Sequence, residues 1–322
     1  MEMTMDSGAA NKDSLLDSVD ARTKLAGSNR MEILLFELGT HEIFGINVFK
    51  VREVSKTPSI TKTPNMPKGV EGLISLRGNV IPLMSLAKVM QLAGAPQGIG
   101  ESMMVTEYNK RTLGFLVHSV DRIIRVEWDK VRAPESVTSG AHAYITAITE
   151  LPDGRLVSIV DVEQIMANTF GEAVVGQIEK IPGGDDLSVF FVDDSTVARK
   201  KIAEVLDKMG VKHRHAMNGN EAWQRLAGMA SHTQLTGRSL REEVNLVLVD
   251  AEMPEMDGYV LTKNIKNDPR FAGIPVVMHS SLSSEANRAM GRSVGVDAYC
   301  AKFDADLLAD TIRPLLLKSQ RD

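Results

Sequence analysis

The first half of the chain alternates short apolar stretches with turns. Four pairs of such stretches are each separated by two to four turn-favouring residues, for example Leu151-Pro152-Asp153-Gly154. Short strand-like stretches joined by tight turns are typical of β-hairpins. The pairs are Met31–Leu38 with Glu42–Val48, Val70–Leu76 with Val80–Leu86, Glu101–Tyr108 with Arg111–Val117, and Ala143–Glu150 with Arg155–Ser158. Repeated hairpins predict an all-β sandwich or barrel.

The second half changes to buried strands and amphipathic helices. Ser188–Val192 is almost continuously apolar, as expected for a parallel strand covered on both faces. Ala198–Met209 has helical periodicity and ends at Gly210. Further strands are predicted at Lys212–Met217, Leu246–Val249, Ile274–Met278 and Ala298–Cys300, and further helices at Glu221–Ala230, Gly258–Lys266, Glu285–Ser293 and Ala305–Leu317. Five strands alternating with five helices predict a doubly wound parallel α/β domain, with an enlarged loop over residues 228–243.

Length and composition fit two soluble domains. The chain has 322 residues, long for one compact domain, and its apolar fraction of 43% is that of an ordinary globular protein. A polar, acidic start and a glycine-containing stretch before the α/β pattern mark the boundaries. We predict a disordered tail over residues 1–29, a β domain over 30–169, a linker over 170–186 and an α/β domain over 187–322.

Charge and cysteine content exclude several classes of protein. Residues 185–322 contain 18 Lys and Arg against 20 Asp and Glu, which leaves 19 against 22 for the rest. Neither half has the basic surface expected of a nucleic-acid-binding protein. The single cysteine, Cys300, excludes an internal disulfide. Because the chain has neither a secretion signal nor an apolar stretch of about 18–20 residues, we expect a cytoplasmic protein that does not insert into the membrane.

Polar residues follow the ends of four predicted strands in the second half. Asp193 and Asp194 follow the first strand, and Asp250 follows the third. Ser280 follows the fourth and Lys302 the fifth. The carboxyl ends of parallel strands meet at one edge of a sheet, where ligands bind. A single carboxylate there is often only a helix cap, but capping does not explain matching positions on four strands with a lysine among them.

These residues suit the transfer of a phosphoryl group to a carboxylate. An aspartate nucleophile forms an acyl phosphate, and its attack on an anionic phosphoryl group requires compensating positive charge. Asp193, Asp194 and Asp250 offer the oxygen ligands that Mg²⁺ prefers. Lys302 would offset the remaining negative charge, and Ser280 offers a hydroxyl to a phosphoryl oxygen.

Four motifs, in this order and spacing, resemble the response-regulator receiver family over Leu187 to about Leu317. They are Val192-Asp193-Asp194-Ser195, Asp250-Ala251-Glu252-Met253-Pro254-Glu255-Met256-Asp257-Gly258, Pro275-Val276-Val277-Met278-His279-Ser280-Ser281, and Lys302. The resemblance implies that Asp250 is the phosphoacceptor. It implies that Asp193 and Asp194 form the acidic pocket with Mg²⁺, and that the backbone carbonyl of Glu252 is a further metal ligand.

The resemblance also places Ser280 and Tyr299 at the family's switch positions. On phosphorylation the hydroxyl is drawn inward and the aromatic ring turns in behind it. Two positions depart from the family pattern. Phe303 follows Lys302 where proline is usual, and a cis bond before a non-proline residue costs ~3 kcal/mol, so a different loop geometry is expected. Glu252 stands at a position that tunes hydrolysis of the acyl phosphate.

The first half contains four further motifs, which are Phe36-Glu37-Leu38-Gly39, Phe44-Gly45-Ile46-Asn47-Val48, Val51-Arg52-Glu53-Val54 and Gly69-Val70-Glu71-Gly72-Leu73-Ile74-Ser75-Leu76-Arg77-Gly78-Asn79-Val80-Ile81-Pro82. With them, the chain from about Arg30 to Thr169 resembles the CheW-like coupling family. The family fold is a pair of small five-stranded β-barrels. Ser85 stands where the family often has aspartate. Arg77 lies in a predicted hairpin turn, either as a solvated residue or in a structural or partner-binding role.

A CheW-like domain followed by a receiver domain implies a chemotaxis signalling adaptor. The expected partners are the histidine kinase CheA and the cytoplasmic tips of chemoreceptors, the methyl-accepting chemotaxis proteins. Recruitment to membrane receptor arrays is expected, with no enzymatic activity beyond phosphoryl acceptance and autodephosphorylation. Phosphorylation would serve adaptation by modulating coupling, or it would make the receiver a phosphate sink; the residues do not separate these roles.

Two rival classes fit less well. A transcriptional response regulator needs a recognition helix and a basic patch, and this chain stops after its last predicted receiver helix. A phosphatase of the aspartyl-phosphate type needs a second acid two residues after the nucleophile, and Glu252 has that spacing. The surrounding run Met253–Gly258 favours the receiver interpretation.

Overall fold

The computed structural model describes residues 30–96, 100–108, 111–132, 144–171, 174–253, 255–280, 285–302 and 304–320. The tail predicted over residues 1–29 lies outside these ranges, and so does Phe303 in the loop after Lys302. Within the described ranges, no helix combines the length and apolarity needed to cross a bilayer.

The first half forms two five-stranded sheets. Their strands are β1 (Arg30–Glu37), β2 (Ile43–Asn47), β3 (Val51–Lys56), β4 (Val70–Leu76), β5 (Asn79–Ser85), β6 (Ser102–Tyr108), β7 (Arg111–Val117), β8 (Ser119–Glu127), β9 (Ile145–Glu150) and β10 (Leu156–Val160). Every strand predicted from the hairpin pattern is present, with ends within about two residues. The predicted pair of five-stranded β units is confirmed, and β3 and β8 complete them.

The order of the strands explains how the two sheets share a core. The orders are β8-β1-β2-β10-β9 and β3-β6-β7-β5-β4. One parallel pair in each sheet, β2 with β10 and β5 with β7, joins its antiparallel parts. Side chains from both sheets meet in one cluster that includes the fully buried Phe36 and Phe115. Two short helices, α1 (Leu86–Val89) and α2 (Val162–Phe170), add buried residues to it.

The second half is a parallel sheet covered on both faces. Its elements are β11 (Ser188–Val192), α3 (Thr196–Met209), β12 (Lys212–Ala216), α4 (Gly219–Leu235), β13 (Leu246–Asp250), α5 (Gly258–Asn267), β14 (Val276–Ser280), α6 (Glu285–Ser293), β15 (Ala298–Ala301) and α7 (Ala305–Ser319). The sheet order is β12-β11-β13-β14-β15. Alternate residues of β11 enter different cores, with Phe191 on one face and Phe190 on the other. The predicted doubly wound α/β domain is confirmed.

The loop predicted over residues 228–243 is shorter in the structure. Helix α4 continues to Leu235, although the prediction ended it at Ala230. Thr233 is buried, and its hydroxyl donates to the carbonyl oxygens of Met229 and Ala230. The loop was predicted because this stretch is polar. The prediction was wrong, because the helix satisfies the polar side chain of Thr233 through hydrogen bonds to its own backbone.

The segment before β11 packs on the second domain. Val175 and Ile181 are buried within that domain's core. The ammonium of Lys208, in α3, donates to the carbonyl oxygens of Val175 and Gly176. From Val175 to Ile181 the predicted linker is therefore attached to the α/β domain, whereas Phe170, at the end of α2, packs on the core of the first domain.

Candidate phosphoryl-acceptor site

Four strand ends bring the predicted site residues to one edge of the parallel sheet. Asp193 and Asp194 follow β11, and Asp250 is the last residue of β13. Ser280 ends β14, and Lys302 follows β15. Because these four strands are neighbours, their carboxyl ends lie side by side. All five residues are buried except Asp194, which is half-buried.

Lys302 bridges two of the carboxylates. Its Nζ lies 2.7 Å from Asp250 Oδ2 and 2.9 Å from Asp193 Oδ2. Its backbone N–H donates to the carbonyl oxygen of Ser280, which ties the lysine to β14. Burial by itself would lower the pKa of Lys302, but Asp193 and Asp250 outweigh that effect and raise it. The lysine is therefore a fixed cation between two aspartates.

Asp193, Asp194 and Asp250 form a group that fits a divalent cation. One carboxylate oxygen from each lies within 4.8 Å of the other two. Asp194 Oδ1 is buried and has no hydrogen-bond partner among the described residues, whereas Asp193 Oδ1 accepts from the backbone N–H of Ser195 at 2.9 Å. A buried oxygen without a partner is costly, and a cation would remove that cost. Three carboxylates are the hard ligands that suit Mg²⁺.

Burial sets the protonation of this site. It raises the pKa of Asp193 to about 6, partly offset by Lys302 and reinforced by Asp194, and it raises the pKa of Asp250 as well. Burial also lowers the pKa of His279 to about 3. That imidazole, whose Nδ1 is 4.0 Å from Asp193 Oδ2, is therefore neutral at physiological pH. A bound divalent cation would favour the ionised carboxylates.

We expect Mg²⁺ affinity to fall as the pH falls from 7 to 5. A ligand must lose its proton before it binds metal, and Asp193, with a pKa raised to about 6, is largely protonated at pH 5. The loss should approach about tenfold per pH unit below the pKa if one proton is released. Isothermal titration with Mg²⁺ in buffers of different ionisation heat measures both affinity and proton release. Equal affinities at pH 5 and pH 7 would contradict the expectation.

Ser280 and Tyr299, the two predicted switch residues, are hydrogen-bonded through their side chains. Ser280 is fully buried, and Tyr299 is half-buried in a cluster with Met278. Burial raises the pKa of Tyr299 to about 12, and the guanidinium carbon of Arg288 lies 5.6 Å from the centre of its ring. Because the two hydroxyls are joined, a displacement of Ser280 would be transmitted to the aromatic ring.

Glu252 contacts both the acceptor and the neighbouring domain. Its backbone N–H donates to Asp250 Oδ1 at 3.3 Å. Its side chain lines a small cavity that first-domain residues also line, and its Oε1 is buried without a hydrogen-bond partner in the described structure. Burial raises the pKa of this carboxyl to about 7. The role of its backbone carbonyl as a metal ligand stays a prediction.

Sequence reasoning did not single out Lys50 and Glu163, two first-domain residues near this edge. Lys50 Nζ lies 3.2 Å from Glu163 Oε1, and the side chains are 14% and 3% exposed. The available signal was weak: Glu163 is a charged residue between Val162 and Ile165, which are buried in α2. The sequence around Lys50 contains no pattern that indicates burial of its side chain.

Arg77 occupies the turn between β4 and β5. Arg77 and Gly78 both have positive φ, 48° and 83°, as in the two-residue turns that match strand twist. The guanidinium lies 2.5 Å from Glu53 Oε2, and the arginine side chain is 80% exposed. An exposed ion pair contributes little to stability. Its role in partner binding stays a prediction.

Comparisons with known proteins agree with both halves of the architecture. The CheW-like domain family matches residues 32–170, and the response regulator receiver domain family matches residues 189–313. The chain is 31% identical over 281 residues to chemotaxis protein CheV3 of Helicobacter pylori, covering 86% of this chain and 89% of that protein. It is 29% identical over 326 residues to CheV1 of the same species, covering 94% and 98%. The chain belongs to the CheV family of chemotaxis proteins.

Proposed function

We propose that this protein is a chemotaxis adaptor that couples chemoreceptors to the histidine kinase CheA and carries a receiver phosphorylated on Asp250. The observation that carries the receiver part is the position of Asp250. It lies at a strand end, bridged by Lys302 at 2.7 Å and grouped with Asp193 and Asp194. The two-sheet domain supports the coupling part, because it has the architecture of the family to which the chain belongs.

In the proposed reaction a phosphoryl group passes from a phosphohistidine of the kinase to Asp250. The N–P bond breaks while an Asp250 oxygen forms the new O–P bond, and Lys302 offsets the negative charge that collects at the carboxylate. Asp193, Asp194, Asp250 and the backbone carbonyl of Glu252 would hold Mg²⁺, which supplies further positive charge when bound. Hydrolysis of the acyl phosphate would return the receiver to its starting state.

The first domain would act as a binding module rather than an enzyme. It would bind CheA and the cytoplasmic tips of chemoreceptors, and thereby recruit the protein from the cytoplasm to membrane receptor arrays. Phosphorylation of Asp250 would then modulate coupling during adaptation, or it would drain phosphoryl groups from the kinase. The hydrogen bond between Ser280 and Tyr299 favours modulation, because it joins the acceptor edge to a side chain that is only half-buried.

Reconstituted receptor membranes test the coupling function. The purified protein is added to CheA and chemoreceptor membranes without another coupling protein. We expect the kinase activity of CheA to depend on the receptor only when the protein is present. Membranes without receptor and mixtures without the protein serve as controls. The Asp250→Asn variant separates the two roles. If phosphorylation modulates coupling, it should change the receptor control of CheA by wild type but not by the variant. If the receiver is only a sink, receptor control should be the same for both proteins, and only wild type should speed the loss of label from the kinase. Kinase activity independent of the protein would refute coupling.

A further inference from the structure

The two domains meet over the acidic site. A cavity of about 10 Å³, close to the volume that one water needs, is lined from the first domain by Asn47, Lys50 and Thr146 and from the second by Asp194 and Glu252. Beside it, α2 of the first domain packs against α3 of the second. The edge of the acidic site at Asp194 therefore faces the coupling domain.

An ion pair from the coupling domain lies in this contact. Lys50 and Glu163 are 3.2 Å apart and almost buried, and Glu163 Oε2 has no hydrogen-bond partner in the part of the chain that is described. Burial would lower the pKa of Lys50, but Glu163 and Asp194 outweigh it and raise the pKa. Burial would raise the pKa of Glu163, but Lys50 and Lys302 lower it to about 2. Charges of opposite sign thus attract each other across the domain contact.

Access to Asp250 is restricted in this arrangement. Asp250 is 2% exposed, so a small phosphoryl donor, and still more a phosphohistidine on a folded kinase domain, needs the groups around the acceptor to move aside. The docked first domain occupies the Asp194 and Glu252 side of that approach. The acyl phosphate would carry roughly −1.5 to −2 of charge in place of the single negative charge of the Asp250 carboxylate, on the side where Glu163 is already negative.

We propose, on the basis of the function proposed above, that the coupling domain docks onto the receiver as an internal inhibitor whose Lys50–Glu163 pair holds the acidic site closed. The domains must separate before Asp250 accepts a phosphoryl group. Domain separation and phosphorylation are linked equilibria. Separation therefore favours phosphorylation of Asp250 by a certain factor, and phosphorylation favours separation of the domains by the same factor. The receiver thereby controls which surface of the coupling domain is free.

Labelling by a small donor tests this proposal without the kinase. Phosphoramidate with Mg²⁺ is added to full-length wild type and to Lys50→Glu, in which a negative charge faces Asp194 and Glu163. We expect the variant to be labelled about tenfold faster or more, because the rate follows the fraction of open molecules. Arg52→Glu is the matched control: Arg52 pairs with Glu107 in the same domain, but the side chains are 58% and 46% exposed. Its rate should equal that of wild type.

Two further variants protect the test from misfolding. Lys50→Met keeps the bulk of the side chain and should accelerate labelling less than Lys50→Glu. The charge swap Lys50→Glu with Glu163→Lys keeps the pair itself but sets like charges against Asp194 and Lys302, so it should be labelled at least as fast as Lys50→Glu. Equal rates in wild type and every folded Lys50 variant would overturn the internal inhibitor and leave the proposed function intact. Absence of label in all variants would refute the phosphoryl-acceptor part of the proposed function.

Hydrogen exchange gives an independent readout on the unmodified protein. Beryllofluoride with Mg²⁺ is the probe, as a mimic of the phosphoryl group. Backbone amides of α2 and of the start of α3 should exchange faster when it is bound, because they lose the domain contact. Unchanged exchange in both helices, with beryllofluoride shown to bind, would overturn the proposal.

Discussion

Replacement of Asp250 by asparagine is expected to abolish phosphoryl labelling by CheA, with a loss of about 10³-fold or more. The amide is isosteric with the carboxylate but lacks the nucleophilic oxygen anion. It also removes one member of the carboxylate group that fits Mg²⁺. The measurement is transfer of label from phosphorylated kinase to the purified protein in the presence of Mg²⁺.

Asp257→Asn is the matched control for this experiment. Asp257 lies seven residues further along the same segment and caps α5 by accepting from the backbone N–H of Val260. Asparagine caps helices about as well as aspartate, so this variant should be labelled like wild type. Label on Asp250→Asn at the wild-type level would mean that another residue accepts the phosphoryl group. Wild type that stays unlabelled beside an active kinase would indicate a degenerate receiver.

Replacement of Gly258 by alanine is expected to destabilise the receiver by about 2–4 kcal/mol. A Cβ at this position would lie 2.0 Å from the carbonyl oxygen of Asp250 and 2.9 Å from Cγ1 of Val249. One of these obstacles is backbone, so α5 must move away from the end of β13. The acceptor aspartate would move with it. Slower labelling should therefore accompany the lower stability.

The same change from glycine to alanine at Gly228 is expected to raise the stability of the receiver, whereas at Gly258 it lowers it. Gly228 lies within α4, and an added Cβ meets nothing within 4 Å. Alanine should stabilise the helix by about 0.5–1 kcal/mol. Urea unfolding of both variants in a Trp128→Phe background leaves Trp223, which stacks on Phe271 in the receiver, as the tryptophan signal. If Gly258→Ala is as stable as its parent, the close approach of α5 to the end of β13 is not rigid.

The sequence predicted the class of each domain because burial leaves simple patterns in it. Strands covered on both faces, such as β11 and β13, are continuous apolar runs. By contrast, β3 and β8 carry exposed charged residues and pair with strands about 50 and 90 residues away. Their pairing depends on partners that a local pattern does not contain, so neither strand was predicted.

The candidate site shows the same division. Asp193, Asp250, Ser280 and Lys302 could be grouped in advance because the topology of a parallel sheet fixes where strand ends meet. Lys50 could not be predicted, because its burial depends on the docking of one domain against the other. No local pattern relates Lys50 to Glu163, which lies more than 100 positions further along the chain, or either residue to Asp194.

The parallel pair of β2 with β10 has a consequence for biosynthesis. Ile43 pairs with Val157, so this ladder joins segments that leave the ribosome far apart in time. Contacts of such long sequence separation slow folding, because a large loop must close before they form. The first sheet therefore waits, incomplete, until nearly the whole coupling domain has been synthesised. The receiver builds its sheet from strands that lie closer together along the chain. Although the receiver is synthesised after the coupling domain, it can therefore finish folding first.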